Sequence, residues 1–506
     1  MEHANKRRRA ESPPPPVPMV MDSGVFFPKR GTDTTYEKVW TMSQNLAEVM
    51  TDTKLVFNLP SLTSNNFYNL KEAYVTMKIR LEDTTKDDKT PASERICPIN
   101  NYGVSLFKDV QISLNSVRID SGATGLNAVQ GYLSALFNNT LNRKDGWLSL
   151  QGYVEDNWRD YKKVFTHSGA FKRQELLFGT NTYSAEEPSF SFNKQGEYTT
   201  LRCPIVSQFT SCEAPLLSGV DVRIEMHRSD LSYNLMMDAG SESKFKEEIG
   251  NFRLDIKDPE LICPVLTYNP SFNARLEDTL AKSGMMYHTI RLEMTKVPIT
   301  EGTTNFITTN IKNLSTTPDR IFFMIQPEWA MNSGYGNSPL IFKNRIEPVP
   351  PKVEPPPDSL NDDPAPTPAP QPVPKPAAHL KNMRLSLNNE SLETSNTMGG
   401  AADLAFRKLR DLYTVLGFDD AEMSALSIDV SDFAAQKFIC AYDCTRGKNS
   451  AKLSPNVRGI TTPGQMKLEL EFDNPTPAYG WLIIAAEYHS AIQINKSRQV
   501  VYKLLT

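Results

Sequence analysis

The feature of this sequence that most constrains its fold is a strict alternation of apolar and polar residues. In the segment 75–81, four apolar residues alternate with polar ones, and the same pattern recurs at 220–227 and 466–472. Because successive side chains of a β-strand point to opposite faces, this period of two predicts strands with one face in a core and one in water. We therefore expect a mainly β protein.

Helical spacing of apolar residues is rare in comparison. It appears between Leu126 and Phe137, between Phe272 and Leu280, and between Leu404 and Leu416. Many short strands separated by turn residues, with so few helices, favour antiparallel sandwiches over alternating βα units. A chain of 506 residues is too long for one small module and accommodates two such sandwiches.

The two halves of the chain share an order of elements. Residues 111–115 and 384–388 both end in Ser-Leu-Asn, and each segment precedes a predicted helix. Each half shows about four strands, this motif, the helix and then further strands, so a duplicated unit is the economical interpretation. We predict two consecutive eight-stranded antiparallel jelly rolls, 31–270 and 271–506, each with a short helix after the fourth strand.

A long proline-rich stretch, 346–380, interrupts the second half. The predicted strands of that half lie near 289–299, 304–313, 319–327, 382–390, 435–442, 464–472, 479–489 and 492–503. Prolines mixed with Ala, Val, Thr and acidic residues favour extended polyproline II and have nothing to pack. Because the stretch falls between the third and fourth predicted strands, we expect a disordered loop inside one domain. It is expected to act as a spacer, with an SH3-type or WW-type partner as the alternative.

The other irregular segment is the basic and proline-rich arm 1–30. It carries Lys6, Arg7, Arg8 and Arg9 and little apolar material, so we expect it to be disordered. The cluster suits an import receptor or the phosphates of packaged DNA, and it also suits a solubilising tail. A net charge of −4 confines any nucleic-acid contact to such local patches.

The sequence suggests an intracellular protein. No apolar run approaches the roughly 18 residues of a membrane helix, and the arm does not resemble a secretory signal. We therefore expect the nucleus or cytoplasm of a host cell, without secretion or a membrane partner.

Motifs that carry catalytic or metal chemistry are missing from the sequence. HExxH, paired CxxC, GxSxG and GxGxxG spacings do not occur, and none of the six histidines has a partner at metal-ligand spacing. Cys440 and Cys444 lie four residues apart, where a strand places them on one face and small hydrophobic residues also fit. We interpret all six cysteines as reduced core residues and predict no catalytic, cofactor or metal site.

Two stretches, 321–325 and 481–486, are apolar at consecutive positions. A strand that is apolar on both faces must be covered on both. The cover is either a second layer of the same chain or another subunit, so we expect an interface at these strands.

Several segments, in order, resemble the major capsid protein of Maverick/Polinton virus-like transposons, in the double jelly-roll lineage that includes adenovirus hexon. These segments, which span about 50 to 505, are 105–115 with 132–136, then 287–291, 318–325 and 330–342. The resemblance implies a non-enzymatic coat protein whose homotrimers form pseudo-hexameric capsomers and then a virus-like particle. The arm, the proline-rich loop and His288 depart from the family pattern.

Two other functions fit a jelly-roll chain. A transposon-derived protein retained by a host would act as a binding module for glycans or peptides, for which Trp147, Trp158, Trp329 and Trp481 are the candidate aromatic residues. A cupin-like enzyme would need grouped histidine and carboxylate ligands, which the sequence does not show.

Overall fold

The fold is seen in a computed structural model. It describes residues 21–22, 36–44, 49–50, 53–63, 65–85, 96–120, 125–137, 148–156, 168–178, 197–212, 214–237, 242–309, 311, 317–331, 340–349, 375–392, 401–416, 428–445 and 464–504. The basic cluster 6–9 and most of the proline-rich stretch lie outside these residues.

Strands dominate both halves of the chain. Those of the first half are β1 (Met21–Asp22), β2 (Tyr36–Gln44), β3 (Val49–Met50), β4 (Lys54–Leu59), β5 (Asn66–Tyr68), β6 (Tyr74–Asp83), β7 (Ile96–Pro98), β8 (Phe107–Leu114), β9 (Val117–Arg118), β10 (Thr199–Pro204), β11 (Val222–Arg228), β12 (Leu235–Met237) and β13 (Phe252–Tyr268). Those of the second half are β14 (Met285–Ile299), β15 (Asn305–Thr308), β16 (Arg320–Pro327), β17 (Arg345–Ile346), β18 (Ala378–Leu387), β19 (Glu390–Ser391), β20 (Ile439–Asp443), β21 (Met466–Phe472), β22 (Gly480–Ile494) and β23 (Val500–Leu504).

Helices are fewer than strands in the described residues. They are α1 (Tyr102–Ser105), α2 (Asn127–Phe137), α3 (Ser168–Phe178), α4 (Leu231–Asn234), α5 (Glu242–Ile249), α6 (Pro270–Ser283), α7 (Ala401–Leu416) and α8 (Val430–Gln436). None of the helices in the described residues has the length and apolar character needed to cross a membrane.

The sheets show that the same unit occurs twice. One sheet of the first half runs in the order β10-β6-β13-β2, and its counterpart in the second half runs β20-β16-β22-β14. The facing sheets run β4-β11-β8 and β15-β21-β18, and the edge strands β9 and β19 pair with β8 and β18. Each half is thus an antiparallel sandwich with identical strand order, as the double jelly-roll prediction requires.

The Ser-Leu-Asn motif forms the same turn in both halves. Asn115 and Ser116 have φ of 46° and 67°, and Asn388 and Asn389 have φ of 52° and 67°. Two consecutive positive φ values in a two-residue hairpin match a type I′ turn, for which Asn is favoured. The Asn115 side chain accepts a hydrogen bond from the Asp221 N–H (2.8 Å), and Asn388 accepts one from Gln465 (2.9 Å).

Most elements predicted from periodicity are present. The alternating segments lie in β6, β11 and β21, and the three predicted helices are α2, α6 and α7. Helices α1, α3, α4, α5 and α8 were not predicted. All of them except α3 have eight residues or fewer, which offer too few turns for a period to be recognised.

Several strand boundaries in the second half differ from the prediction, including those of the predicted strands 435–442 and 479–489. Residues 430–436 are helical, because the Asp429 side chain accepts a hydrogen bond from the Asp432 N–H (2.7 Å) and caps α8. The predicted strands 479–489 and 492–503 are divided elsewhere, since β22 continues to Ile494 and the turn comes at 495–499.

The ends of the proline-rich stretch are strand residues. Ile346 pairs with Ala378 and Arg345 with His379, and both Ile346 and Ala378 belong to the second core. The chain therefore leaves the second sandwich and returns to it at one place; residues 350–374, between these ends, are outside the described residues.

Within the predicted arm, Met21–Asp22 forms the short strand β1. It pairs in parallel with Met285 and Met286, at the edge of the second jelly roll. The prediction for the remainder of 1–30 lies outside the described residues.

Candidate assembly interface

Helix α2 of the first jelly roll packs into the core of the second. Its buried residues Val129, Tyr132 and Leu136 belong to the same apolar cluster as Phe322 and Phe342. The Phe137 ring stacks on Phe322 with centroids 5.2 Å apart, and Tyr132 lies 6.4 Å from Phe342. Because burial of aromatic side chains is strongly favourable, this contact stabilises the arrangement of the two jelly rolls.

This contact explains the stretch 321–325. Phe322 faces α2, whereas Phe323, on the opposite face of β16, packs against Tyr442 (centroids 5.8 Å apart). The cluster also contains Leu385 and Leu468 of the facing sheet. Cover on both faces is confirmed for β16, and it comes from the same chain.

The stretch 481–486 lies beside it. Leu482 to Ala486 are buried in the same cluster, and Trp481 is half-buried. Ile483 and Ala485 share a face with Met324 and Phe322, so this face continues the surface that α2 covers. No second subunit is needed to bury these residues.

A polar group of contacts lies beside the aromatic contact. Lys437 follows α8, and its buried ammonium lies 2.6 Å from a Glu155 carboxylate oxygen of the first half and 2.8 Å from Asp432. Burial disfavours the ammonium, but these two carboxylates outweigh it and raise the pKa of Lys437. Gln436 also donates a hydrogen bond to the Asp156 carbonyl oxygen (3.2 Å). These bonds fix how the two jelly rolls are oriented.

The second jelly roll reaches into the first in return. Met285, Tyr287, Ile492 and Ile494, at the adjoining ends of β14 and β22, belong to the core of the first jelly roll. The buried Tyr287 hydroxyl donates to the Pro215 carbonyl oxygen (3.1 Å) and accepts from the Leu217 N–H (3.0 Å).

The turn after β22 adds a further contact between the halves. Asn115, in the hairpin turn of the first jelly roll, donates a side-chain hydrogen bond to the Arg498 carbonyl oxygen (2.7 Å). The Arg498 guanidinium lies 2.5 Å from Glu277 of α6. We call these contacts between the two jelly rolls the interdomain joint. It comprises the contacts of α2, of Gln436 and Lys437, of Tyr287 and of Arg498.

The predicted boundary between the halves, at 270 and 271, falls at the start of α6. Phe272, Leu276 and Leu280 of this helix belong to the first core. Helix α6, which follows the predicted boundary in sequence, thus packs in the core of the first jelly roll.

The sequence predicted that the cysteines are reduced core residues. Five are buried, Cys444 is half-buried, and all six are free thiols. Burial raises the pKa of Cys97 and of Cys263 to about 12, so these thiols stay protonated. Among the described residues, no three His, Cys, Asp or Glu side chains are grouped so that they would hold a metal ion.

The structure brings together two histidines that are far apart in sequence. His288 of β14 and His489 of β22 stack with ring centroids 5.4 Å apart. Strand register is the cause, because Ile290 pairs with His489 and His288 with Ala491. Only the register of β14 on β22, which the sequence pattern does not give, would have revealed this pair.

Two of the candidate tryptophans are described. Trp329 is buried, with the Lys343 ammonium 4.6 Å from its ring, and Trp481 is half-buried, with Lys296 at 4.1 Å. Burial lowers the pKa of Lys296. Both indoles pack against the chain itself, so neither contributes to an open aromatic site.

Comparison with known proteins agrees with this architecture. No protein-family model and no curated protein sequence matches the chain. A chain of the Sputnik virophage solved by cryo-EM matches with a TM-score of 0.55 and 11% identity, covering 95% of this chain and 91% of that one. The Faustovirus major capsid protein matches with a TM-score of 0.54 and 10% identity, covering 95% and 92%.

A chain of the PBCV-1 virus capsid is a third structural relative. Its TM-score is 0.52 at 11% identity, and the match covers 94% of this chain and 99% of that one. The protein therefore has the double jelly-roll fold of viral major capsid proteins.

Proposed function

We propose that this chain is a non-enzymatic major coat protein, three copies of which close into a pseudo-hexameric capsomer that tiles a shell. The observation that carries the proposal is the interdomain joint, which holds two sandwiches of the same strand order side by side within one chain. Three such chains joined head to tail present six similar sandwiches around a ring. The likeness to capsid chains across nearly the whole length supports this reading.

The further origin we propose is a virus-like DNA transposon of the Maverick/Polinton type. Its support is the ordered set of resembling segments, including the β8 segment 105–115 and the β16 segment 318–325. In this setting the protein acts in the nucleus or cytoplasm of a host cell and, once assembled, as part of a virus-like particle.

Light scattering on the purified full chain tests the proposal. We expect a trimer of the 56.8 kDa chain at micromolar concentration and moderate salt. A species that stays monomeric under these conditions contradicts the capsomer and favours the glycan-binding or peptide-binding module.

The two irregular segments have proposed roles of their own. The Lys6–Arg9 cluster engages an import receptor or packaged DNA, and the proline-rich loop is displayed on the outside of the capsomer, where an SH3-type or WW-type partner has access. Replacing Lys6, Arg7, Arg8 and Arg9 with Ala is expected to leave thermal stability unchanged. Nuclear accumulation of a reporter fused to 1–30 is expected to be lost with the same changes, and a reporter that never enters the nucleus contradicts the import role.

A further inference from the structure

Helices α2 and α7 follow the corresponding strands β8 and β18 in the two jelly rolls but differ in exposure. Almost every residue of α2 is buried or half-buried, because its outward side packs on the second jelly roll. In α7, Leu404 and Leu412 are buried in the core of their own jelly roll. The outward side of α7 is an exposed stripe at helical spacing, made of Ala402, Phe406, Arg410 and Thr414.

Phe406 is the prominent member of this stripe. Its side chain is 58% exposed, the highest value, shared with Ile307, among the large apolar residues that the structure describes as exposed. Two ion pairs lie beside it, Arg407 with Asp403 (2.9 Å) and Arg410 with Asp411 (3.5 Å). An aromatic residue with a charged rim is typical of the centre of a protein interface.

The duplicated fold indicates what this stripe would contact. Within the chain, α2 contacts Phe322 on β16 of the following jelly roll. Strand β6 is the counterpart of β16: Tyr74 pairs with Pro204, the last residue of β10, as Arg320 pairs with Asp443, the last residue of β20. Thr76 therefore occupies the position in the first jelly roll that Phe322 occupies in the second.

The face of β6 around Thr76 is polar, and cations stack on its aromatic rings. The Arg202 guanidinium lies 4.6 Å from the Tyr74 ring, and both Arg80 and Lys257 lie 4.4 Å from the Tyr198 ring. Such a face is stable in water in a single chain. It also offers aromatic rings and fixed cations to an incoming phenylalanine and its charged neighbours.

We propose that the Phe406 stripe of α7 docks on the Thr76 face of β6 in a second copy of this chain. This inference rests on the proposed function and specifies which surfaces join the copies. The contact repeats between chains the position of α2 on β16 within a chain. A head-to-tail contact of this kind closes into a ring when its rotation brings the last copy back to the first. Because both surfaces are polar around one aromatic anchor, salt weakens this contact more than it weakens the interdomain joint.

The first test uses single variants of the full chain. Phe406→Asp and Thr76→Glu each remove one side of the contact, and both are expected to convert the trimer into monomers in light scattering. Ile307→Asp is the matched control, because Ile307 is also 58% exposed but lies on β15 of the other sheet. It is expected to remain trimeric. Phe406→Ala, which adds no charge, is expected to weaken trimer formation at least tenfold.

The second test mixes the two monomeric variants. Each retains the surface that the other has lost, so an equimolar mixture is expected to form a one-to-one dimer and no trimer. Dimer formation also shows that both variants are folded.

Failure of this inference differs from failure of the proposed function. If the wild-type chain is trimeric and Phe406→Asp or Thr76→Glu leaves it so, the copies join elsewhere and only the inference is overturned. If Phe406→Asp alone gives monomers, α7 contacts another surface and the inference is again overturned. A monomeric wild-type chain overturns the capsomer itself.

Discussion

Strands β6 and β16 occupy the same place in two copies of one fold, yet they differ on the face that points away from their own sandwich. In β6 this face carries Thr76, Lys78 and Arg80, whereas in β16 it carries Phe322 and Met324. The apolar face is the one covered within the chain by α2. The difference teaches that two sandwiches of the same strand order can present opposite faces: this face is covered by the chain itself in the second half and is polar in the first.

The largest expected difference between the two strands is in the free energy of unfolding that is lost when Phe322 or its counterpart Thr76 is replaced with Ala. Phe322→Ala removes a fully buried ring from the interdomain joint and is expected to lower the free energy of unfolding by about 3–5 kcal/mol. Thr76→Ala is expected to lower it by about 0.5 kcal/mol, since Thr76 is a small, half-buried side chain outside both cores. Denaturant unfolding measures both, and equal losses contradict the comparison of the two strands.

The next effect concerns the polar part of the interdomain joint. Lys437→Ala leaves Glu155 and Asp432 without their shared cation and is expected to lower the free energy of unfolding by about 2–3 kcal/mol. Lys381→Ala is the control: Lys381 is ion-paired with Glu471 on an exposed face, and the expected loss is below about 1 kcal/mol. A similar loss for both lysines would show that the buried bonds do not orient the jelly rolls.

A pH effect is expected in the first jelly roll. Burial raises the pKa of Asp120 to about 6, against the hydrogen bond from Ser207 (2.6 Å) and the N–H of Ile112. Because the folded pKa exceeds the unfolded value near 3.9, this group stabilises the fold most below pH 4, and the contribution is lost as pH rises through 6.

Asp120→Asn removes this dependence. Relative to the wild type, the variant is expected to gain about 2–3 kcal/mol between pH 4 and pH 7. Unfolding at both pH values measures the change. A difference between variant and wild type that is the same at pH 4 and pH 7 contradicts the raised pKa of this carboxyl.

The smallest effect compares the two hairpin turns. Asn115→Ala and Asn388→Ala both lose a side-chain hydrogen bond at a residue with positive φ, at about 1 kcal/mol each. Asn115 also donates to the Arg498 carbonyl oxygen, so its replacement is expected to lower stability by about 1 kcal/mol more. If the two variants are equally stable, the Asn115 contact does not contribute to the interdomain joint.

The sequence allowed the repeated sandwich to be predicted but not the partner of each face. Alternation identified β6 and β21, and the consecutive apolar residues of β16 showed that both of its faces need cover. That the cover is α2, and not another subunit, depends on how two distant segments meet in space. The stacked His288 and His489 likewise depend on strand register, which the period of two leaves open.

The turn at Asn115 could be predicted only in part from the sequence. Its Ser-Leu-Asn motif was visible as a repeat, and the structure gives the reason, since Asn tolerates the positive φ that a two-residue hairpin requires. For the short α8, the capping Asp429 was a readable signal, although seven helical residues are too few for periodicity to be recognised.

We propose that this chain is a two-sandwich block whose copies join head to tail around a ring. Cryo-EM of the full chain, after size-exclusion chromatography, tests it most directly. We expect particles of three chains with six similar lobes, in which α7 of one copy lies on the β6 face of the next. Single chains, or two-fold dimers in which the α7 helices of two copies face each other, would contradict it.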